Sequence, residues 1–189
     1  MLLITPSIMH SGTHLLKQNI LKDFKYWPYD ERLDGDFQAG VHYVTHVNER
    51  QEDWMSRGDH IVSPMRHPAR ILASFQSRNR PITMEDTKER IKHLEPHMFS
   101  MGMKEGADYE SQWKNLAYFM DRYDINFIHI DADDRDEQVE KFGKKIGRDL
   151  HCDWPVDNNS GARCGNHDKP IEECPQPPEW VMEIYRGTC

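Results

Sequence analysis

Residues 4–17 read I-T-P-S-I-M-H-S-G-T-H-L-L-K. They continue an apolar run at 1–4 that has the composition of a buried strand. Pro6, Ser7 and Ser11 give the next segment turn chemistry, and Gly12 lets backbone approach a ligand closely. From Thr13 onward, Leu15, Leu16, Ile20 and Leu21 recur at helical spacing and predict a first helix over about 13–24. A strand, a short loop and a helix start is an arrangement that holds phosphate. The first helical N–H groups lack partners within the helix, and the helix dipole favours an anion there.

A nucleoside-triphosphate loop would read G-x-x-x-x-G-K-[ST]. Here the first glycine is absent, Thr13 follows Gly12 directly, and no lysine precedes a Ser or Thr that would hold magnesium. ATP or GTP hydrolysis is therefore disfavoured.

Two further segments carry candidate site residues. Residues 41–47, V-H-Y-V-T-H-V, are β-branched and aromatic and predict a second strand with His46 near its end. Residues 60–65, H-I-V-S-P-M, predict a third. It runs into R-H-P-A-R-I-L-A-S-F, where Pro68 suits the first turn of a helix and Ile71, Leu72 and Phe75 give that helix an apolar face. A second strand–turn–helix unit thus begins with Arg66. Guanidinium binds phosphate in a bidentate manner, and the hydroxyl of Ser74 lies further along the same helix.

The remaining chain supplies scaffold. Residues 25–40 read as a loop, and 48–58 as a short helix and a turn. Thr83 is a plausible N-cap for the helix after it. Trp113, Leu116, Ala117 and Met120 mark a core helix within 108–123. Residues 125–130, I-N-F-I-H-I, predict a fourth strand, followed by an acidic turn at 131–136 and a helix through Val139, Phe142, Ile146 and Leu150. The acidic turn reads as a helix N-terminus rather than a magnesium site. His93 and His97 have metal-pair spacing, but Pro96 breaks the helix between them. The tail, 151–189, holds five prolines and reads as irregular chain closing over the domain.

Composition narrows the classes. At 189 residues the chain is expected to form a single domain, with a core at 1–150. Its net charge of −8 argues against a broad nucleic-acid-binding face. No run of about 18 apolar residues predicts a membrane span. The apolar start is too short for a signal peptide, so a cytoplasmic protein is expected. Cys152, Cys164, Cys174 and Cys189 form no C-x-x-C pair. They read as free thiols, with tail disulfides or a metal as alternatives.

The segment H-S-G-T-H-L-L resembles the 5′-phosphosulfate loop of the PAPS-dependent sulfotransferases, which commonly reads P-K-S-G-T-T-x-L. Thr45 and His46 resemble the K-T-H-L-P segment of that family, with Val44 in place of lysine and Asn48 in place of proline. Arg66, Pro68 and Ser74 match the family's R-x-P-x-D-x-x-x-S in identity and spacing, with Arg70 in place of the acidic residue. The late strand, acidic turn and helix are similar to a further family segment, and 160–167 are a distant counterpart of its closing basic loop.

The resemblance implies an α/β fold: a three-layer αβα sandwich on a mainly parallel sheet, the P-loop NTPase-like sulfotransferase fold. It implies sulfuryl transfer from PAPS to a hydroxyl or amine on a small-molecule or glycan acceptor, releasing PAP, with no metal. The 5′-phosphate falls to His10, Ser11, Gly12, Thr13 and His14, the 3′-phosphate to Arg66 and Ser74, and a closing contact to Arg163. His46 stands as general base. His10 stands where the family has a catalytic lysine, with Lys17 as a second candidate for that charge. A non-catalytic PAP-binding module and a small-molecule P-loop kinase are the alternatives.

Overall fold

β1 (Leu2–Ile4) is three residues of buried aliphatic chain at the centre of a five-stranded sheet. The computed structural model of the chain describes residues 1–27, 34–40, 44, 47, 49–92, 106–152 and 170–189, the side chains of 90–92 excepted. The other strands are β2 (Lys25–Tyr26), β3 (Phe37–Ala39), β4 (His60–Met65) and β5 (Ile125–His129). Their order is β2-β3-β1-β4-β5, and every pairing is parallel. β1 sits between β3, with Leu3 opposite Gln38, and β4, with Leu3 opposite His60.

Parallel strands need crossovers, and the crossovers bury both faces of the sheet. Alternation along the strands sorts the core accordingly. Leu2, Ile4, Ile61 and Met65 join one cluster, while Leu3, Val62 and Ile128 join the other. On the first face lie α2 (Glu49–Arg57), α3 (Pro68–Ser77), α5 (Tyr109–Met120) and α7 (Glu179–Arg186), contributing Met55, Phe75, Trp113 and Val181. On the second lie α6 (Arg135–Ile146) and α1 (Thr13–Leu15), which continues as a π-helix over Leu16–Ile20. The protein is thus an α/β structure with helices on both faces of an all-parallel sheet.

Most predicted elements form where expected. β4 has the predicted bounds, and Pro68 occupies the first turn of α3. Thr83 caps α4 (Met84–Lys92): its Oγ1 accepts from the Asp86 N–H at 3.2 Å, and the Asp86 carboxylate accepts from the Thr83 N–H at 3.0 Å.

Three readings change. The expected loop at 25–40 contains β2 and β3. Gln38 breaks the apolar pattern there, yet it is buried because its Nε2 donates to the carbonyls of Lys17, Leu21 and Phe24 at 3.2, 2.9 and 2.9 Å. It is thereby the tie between the sheet and the end of the π-helix. Of the expected strand at 41–47, Val44 lies in a buried turn and donates its N–H to the Ser7 carbonyl at 3.1 Å; residues 41–43 and 45–46 lie outside the described residues. The tail is not wholly irregular. After Pro178 it forms α7, which buries Val181 and packs on α5 and α3. Cys174 and Cys189 are free thiols.

Candidate functional site at the carboxyl ends of β1 and β4

The chain leaves β1 toward β3 and β2 on one side and leaves β4 toward β5 on the other. Connections that diverge from neighbouring strands open a crevice at their carboxyl ends, where ligands of parallel α/β sheets bind. The loop at 5–12 follows β1, and Arg66 follows β4. Two of the three predicted motifs therefore meet at the switch point of the sheet.

The loop is held from several sides. Thr5 donates its N–H to the Ala39 carbonyl at 2.9 Å. The Met9 N–H reaches Gln112 Oε1 at 2.8 Å, and Gln112 is itself fixed to the Ala107 carbonyl. The Ser11 N–H closes a turn on the Ile8 carbonyl at 3.1 Å, which places His10 in the left-handed region at φ 68°. Ser11's amide is thus already engaged, and the loop's anion-facing donors reduce to those from Gly12 onward.

Gly12 has φ 107°, and a Cβ there would stand 2.3 Å from Ile130 Cδ1. The open space expected for a ligand on that side of Gly12 is taken by the residue after β5. Gly12 is required by its conformation and by Ile130, and it starts α1 with no side-chain cap. The hydroxyls of Ser7, Ser11 and Thr13 are buried without a hydrogen-bond partner among the described residues. Buried polar groups are ordinarily satisfied, and these three hydroxyls leave hydrogen-bonding capacity along one loop.

His10 turns its ring edge onto Phe75 of α3, 5.4 Å between centroids at 86°. His14 is exposed on α1. Lys17 is only 4% exposed, and burial pushes its ammonium down to about 8.

Arg66 is not an unengaged guanidinium. Its Nε donates to Asp131 Oδ1 at 3.2 Å. Asp131 Oδ2 takes Arg70 NH1 at 3.3 Å and the His67 N–H at 3.4 Å. Asp131 therefore does more than head an acidic helix N-terminus: it clamps two arginines from α3 and its approach. The His67 ring caps α3 by accepting from the Ala69 N–H at 3.3 Å. Burial holds the His67 imidazole below its usual range, against the Asp131 charge, which raises it, and with Arg70, which lowers it further. Ser74 is 3% exposed on the packed side of α3.

Sequence reasoning missed the contribution of α7. The Tyr185 ring lies between those of His67 and His129, at 5.4 and 5.5 Å. The His129 ring nitrogen Nε2 pairs with the Thr188 carbonyl at 2.9 Å. Burial pushes the Tyr185 hydroxyl up to about 12. The i, i+3, i+4 spacing of Val181, Ile184 and Tyr185 was the available signal, obscured by the prolines that precede it.

His46 and Arg163 lie outside the described residues, as do His93 and His97. Among the described residues, no group of three or more His, Cys, Asp or Glu is placed to hold a metal, and no helix is long and apolar enough to cross a membrane. No protein-family model matches the chain, and no curated protein matches it.

Proposed function

We propose that the chain is a PAPS-dependent sulfotransferase of the P-loop-like fold, moving a sulfuryl group to a hydroxyl or amine on a small-molecule or glycan acceptor and releasing PAP. The observation that carries this reading is the meeting of the 5–12 loop and Arg66 at the carboxyl ends of adjacent strands, where the sheet order reverses. The orphaned hydroxyls of Ser11 and Thr13 support it, because a phosphate supplies the acceptors they lack. PAPS brings the sulfuryl group, already activated on its 5′-phosphate.

The chain's own residues bind and orient. The amides of Gly12, Thr13 and His14, at an uncapped helix start, hold the 5′-phosphate together with the Ser11 and Thr13 hydroxyls. Arg66 holds the 3′-phosphate, the group that distinguishes PAP from ADP, with Ser74 behind it and Arg163 as a closing contact. His46 takes the acceptor proton, since an imidazole titrates near neutral pH. His10, in the loop, and Lys17, in the helical turn that follows it, are the two candidates for the family lysine. A group that titrates at about 8 retains a proton at neutral pH and can give it up, which suits Lys17 to the charge that forms on the leaving phosphate.

A non-catalytic PAP-binding module is the second reading. It is favoured by the packing of the His10 ring against Phe75, which ties that side chain to the core where the family has a lysine. The deciding experiment is sulfur-labelled PAPS incubated with hydroxyl and amine acceptors, with and without chelator. Label transfer that survives chelation and is lost in Thr13→Val supports the enzyme. PAP binding without transfer to any acceptor supports the module. Magnesium-dependent ATP turnover contradicts both.

A further inference from the structure

The donors gathered after β4 already hold an anion. Arg66 Nε, Arg70 NH1 and the His67 N–H at the start of the ten-residue helix α3 all point to one carboxylate, that of Asp131. This is the donor set a phosphate takes: two guanidinium groups and a backbone amide. The side chains of Arg66, Arg70 and Asp131 are 10%, 20% and 16% exposed, so solvent has little access to the arginines while Asp131 is seated.

We infer that Asp131 is a built-in competitor for the anion site, an internal carboxylate that a bound phosphate must displace from Arg66 and Arg70. The inference rests on the reading of Arg66 as a phosphate contact. A carboxylate and a phosphate repel one another and need the same N–H groups, so they do not share them. Asp131 lies in the turn between β5 and α6, and the residue before it, Ile130, packs on Gly12 of the first loop. The segment that carries the competitor therefore touches the loop that holds the other phosphate. Movement of Asp131 away from the arginines is coupled to that loop through the Gly12–Ile130 contact. The arrangement sets specificity. A ligand with one phosphate at the loop leaves Asp131 seated, whereas a second phosphate of correct spacing replaces it. The arginines pass from one anion to another without an unpaired intermediate, which spares the cost of a buried unpaired charge.

The test is titration of wild type and Asp131→Asn with PAP, ADP and inorganic pyrophosphate. The asparagine keeps the shape and an acceptor for the His67 N–H but removes the charge. About tenfold tighter binding by the variant is expected for PAP, and for pyrophosphate, which carries no nucleoside and enters the arginine site directly, with ADP, tethered at the loop, changed less. Equal or weaker binding of both by Asp131→Asn would overturn the inference and make Asp131 a positioning residue. Tighter pyrophosphate binding without preference for PAP over ADP in either protein would uphold the competitor and sink the sulfotransferase reading. Should the variant not fold, the wild type serves: the Arg66 and Arg70 Nε–H signals in NMR must move when pyrophosphate is added. Signals that stay in place at saturation would overturn the inference.

Discussion

Ile130 and Gly12 are in contact across the switch point: the Ile130 Cδ1 atom fills the place where a Cβ on residue 12 would stand, 2.3 Å away. The first loop is therefore fitted to the end of β5 as well as to its own strand. Gly12→Ala faces this overlap and a backbone at φ 107° that L-residues avoid. The expected loss is about 1–3 kcal/mol in urea unfolding. Ile130→Val removes the clashing methyl, so the double variant should lose less than the sum of the singles. Strict additivity would show that the backbone conformation alone forbids a side chain at 12.

Gln38 predicts a second cost. Its amide nitrogen serves three carbonyls at the end of the first helix, inside the core. Gln38→Leu leaves those carbonyls without their donor, and stability should fall by about 2–4 kcal/mol. Gln38→Glu, equal in shape, should be no better, because the donors are gone and a buried charge is added. A Gln38→Leu variant as stable as wild type would mean that water or a shifted helix end satisfies the carbonyls.

Lys17 gives a pH-dependent test. Burial lowers its ammonium from 10.5 in the open chain to about 8 when folded. Below about 8 both states carry the proton, and in the folded state burial disfavours the charged form. Between about 8 and 10.5 the unfolded chain binds more protons, so stability rises with pH through that window. Lys17→Met should therefore be more stable than wild type at pH 7, by roughly 1–3 kcal/mol, with the gap closing toward pH 10.5. A gap that does not change between pH 7 and pH 10 contradicts the burial of a titrating ammonium.

Tyr185 couples α7 to the ends of β4 and β5 through its two histidine neighbours. Tyr185→Ala removes both ring contacts and uncovers His67, at a cost of about 2–4 kcal/mol. The His67 imidazole, held down chiefly by burial, should then titrate closer to its ordinary 6.5. Tyr185→Phe keeps the ring and should leave both properties nearly unchanged. NMR titration of the His67 ring protons separates these outcomes.

The parts legible in the sequence were those with local causes. β4 is an apolar run next to a proline-started helix, and α5 shows its core stripe through Trp113 and Leu116; both formed as read. The first loop announced itself by turn residues followed by a helical repeat. What escaped depends on distant partners. β3 is three residues long, and its central Gln38 looks like loop until its three carbonyl partners are known. The Arg66–Asp131 pair joins residues 65 positions apart, and no spacing rule forecasts it. Gly12 was read as room for a ligand, whereas Ile130, from the far side of β4, takes that room. α7 hid behind the prolines of the tail.

The most direct test of the central claim is calorimetric titration with PAP and with ADP, on wild type, Arg66→Ala and Thr13→Val, with circular dichroism confirming that each variant is folded. PAP should bind at least about tenfold more tightly than ADP. That preference should be lost in Arg66→Ala, and both nucleotides should bind more weakly to Thr13→Val. Equal binding of PAP and ADP by the wild type, or binding of neither, would contradict the claim and leave a phosphate-loop domain whose ligand lacks a 3′-phosphate.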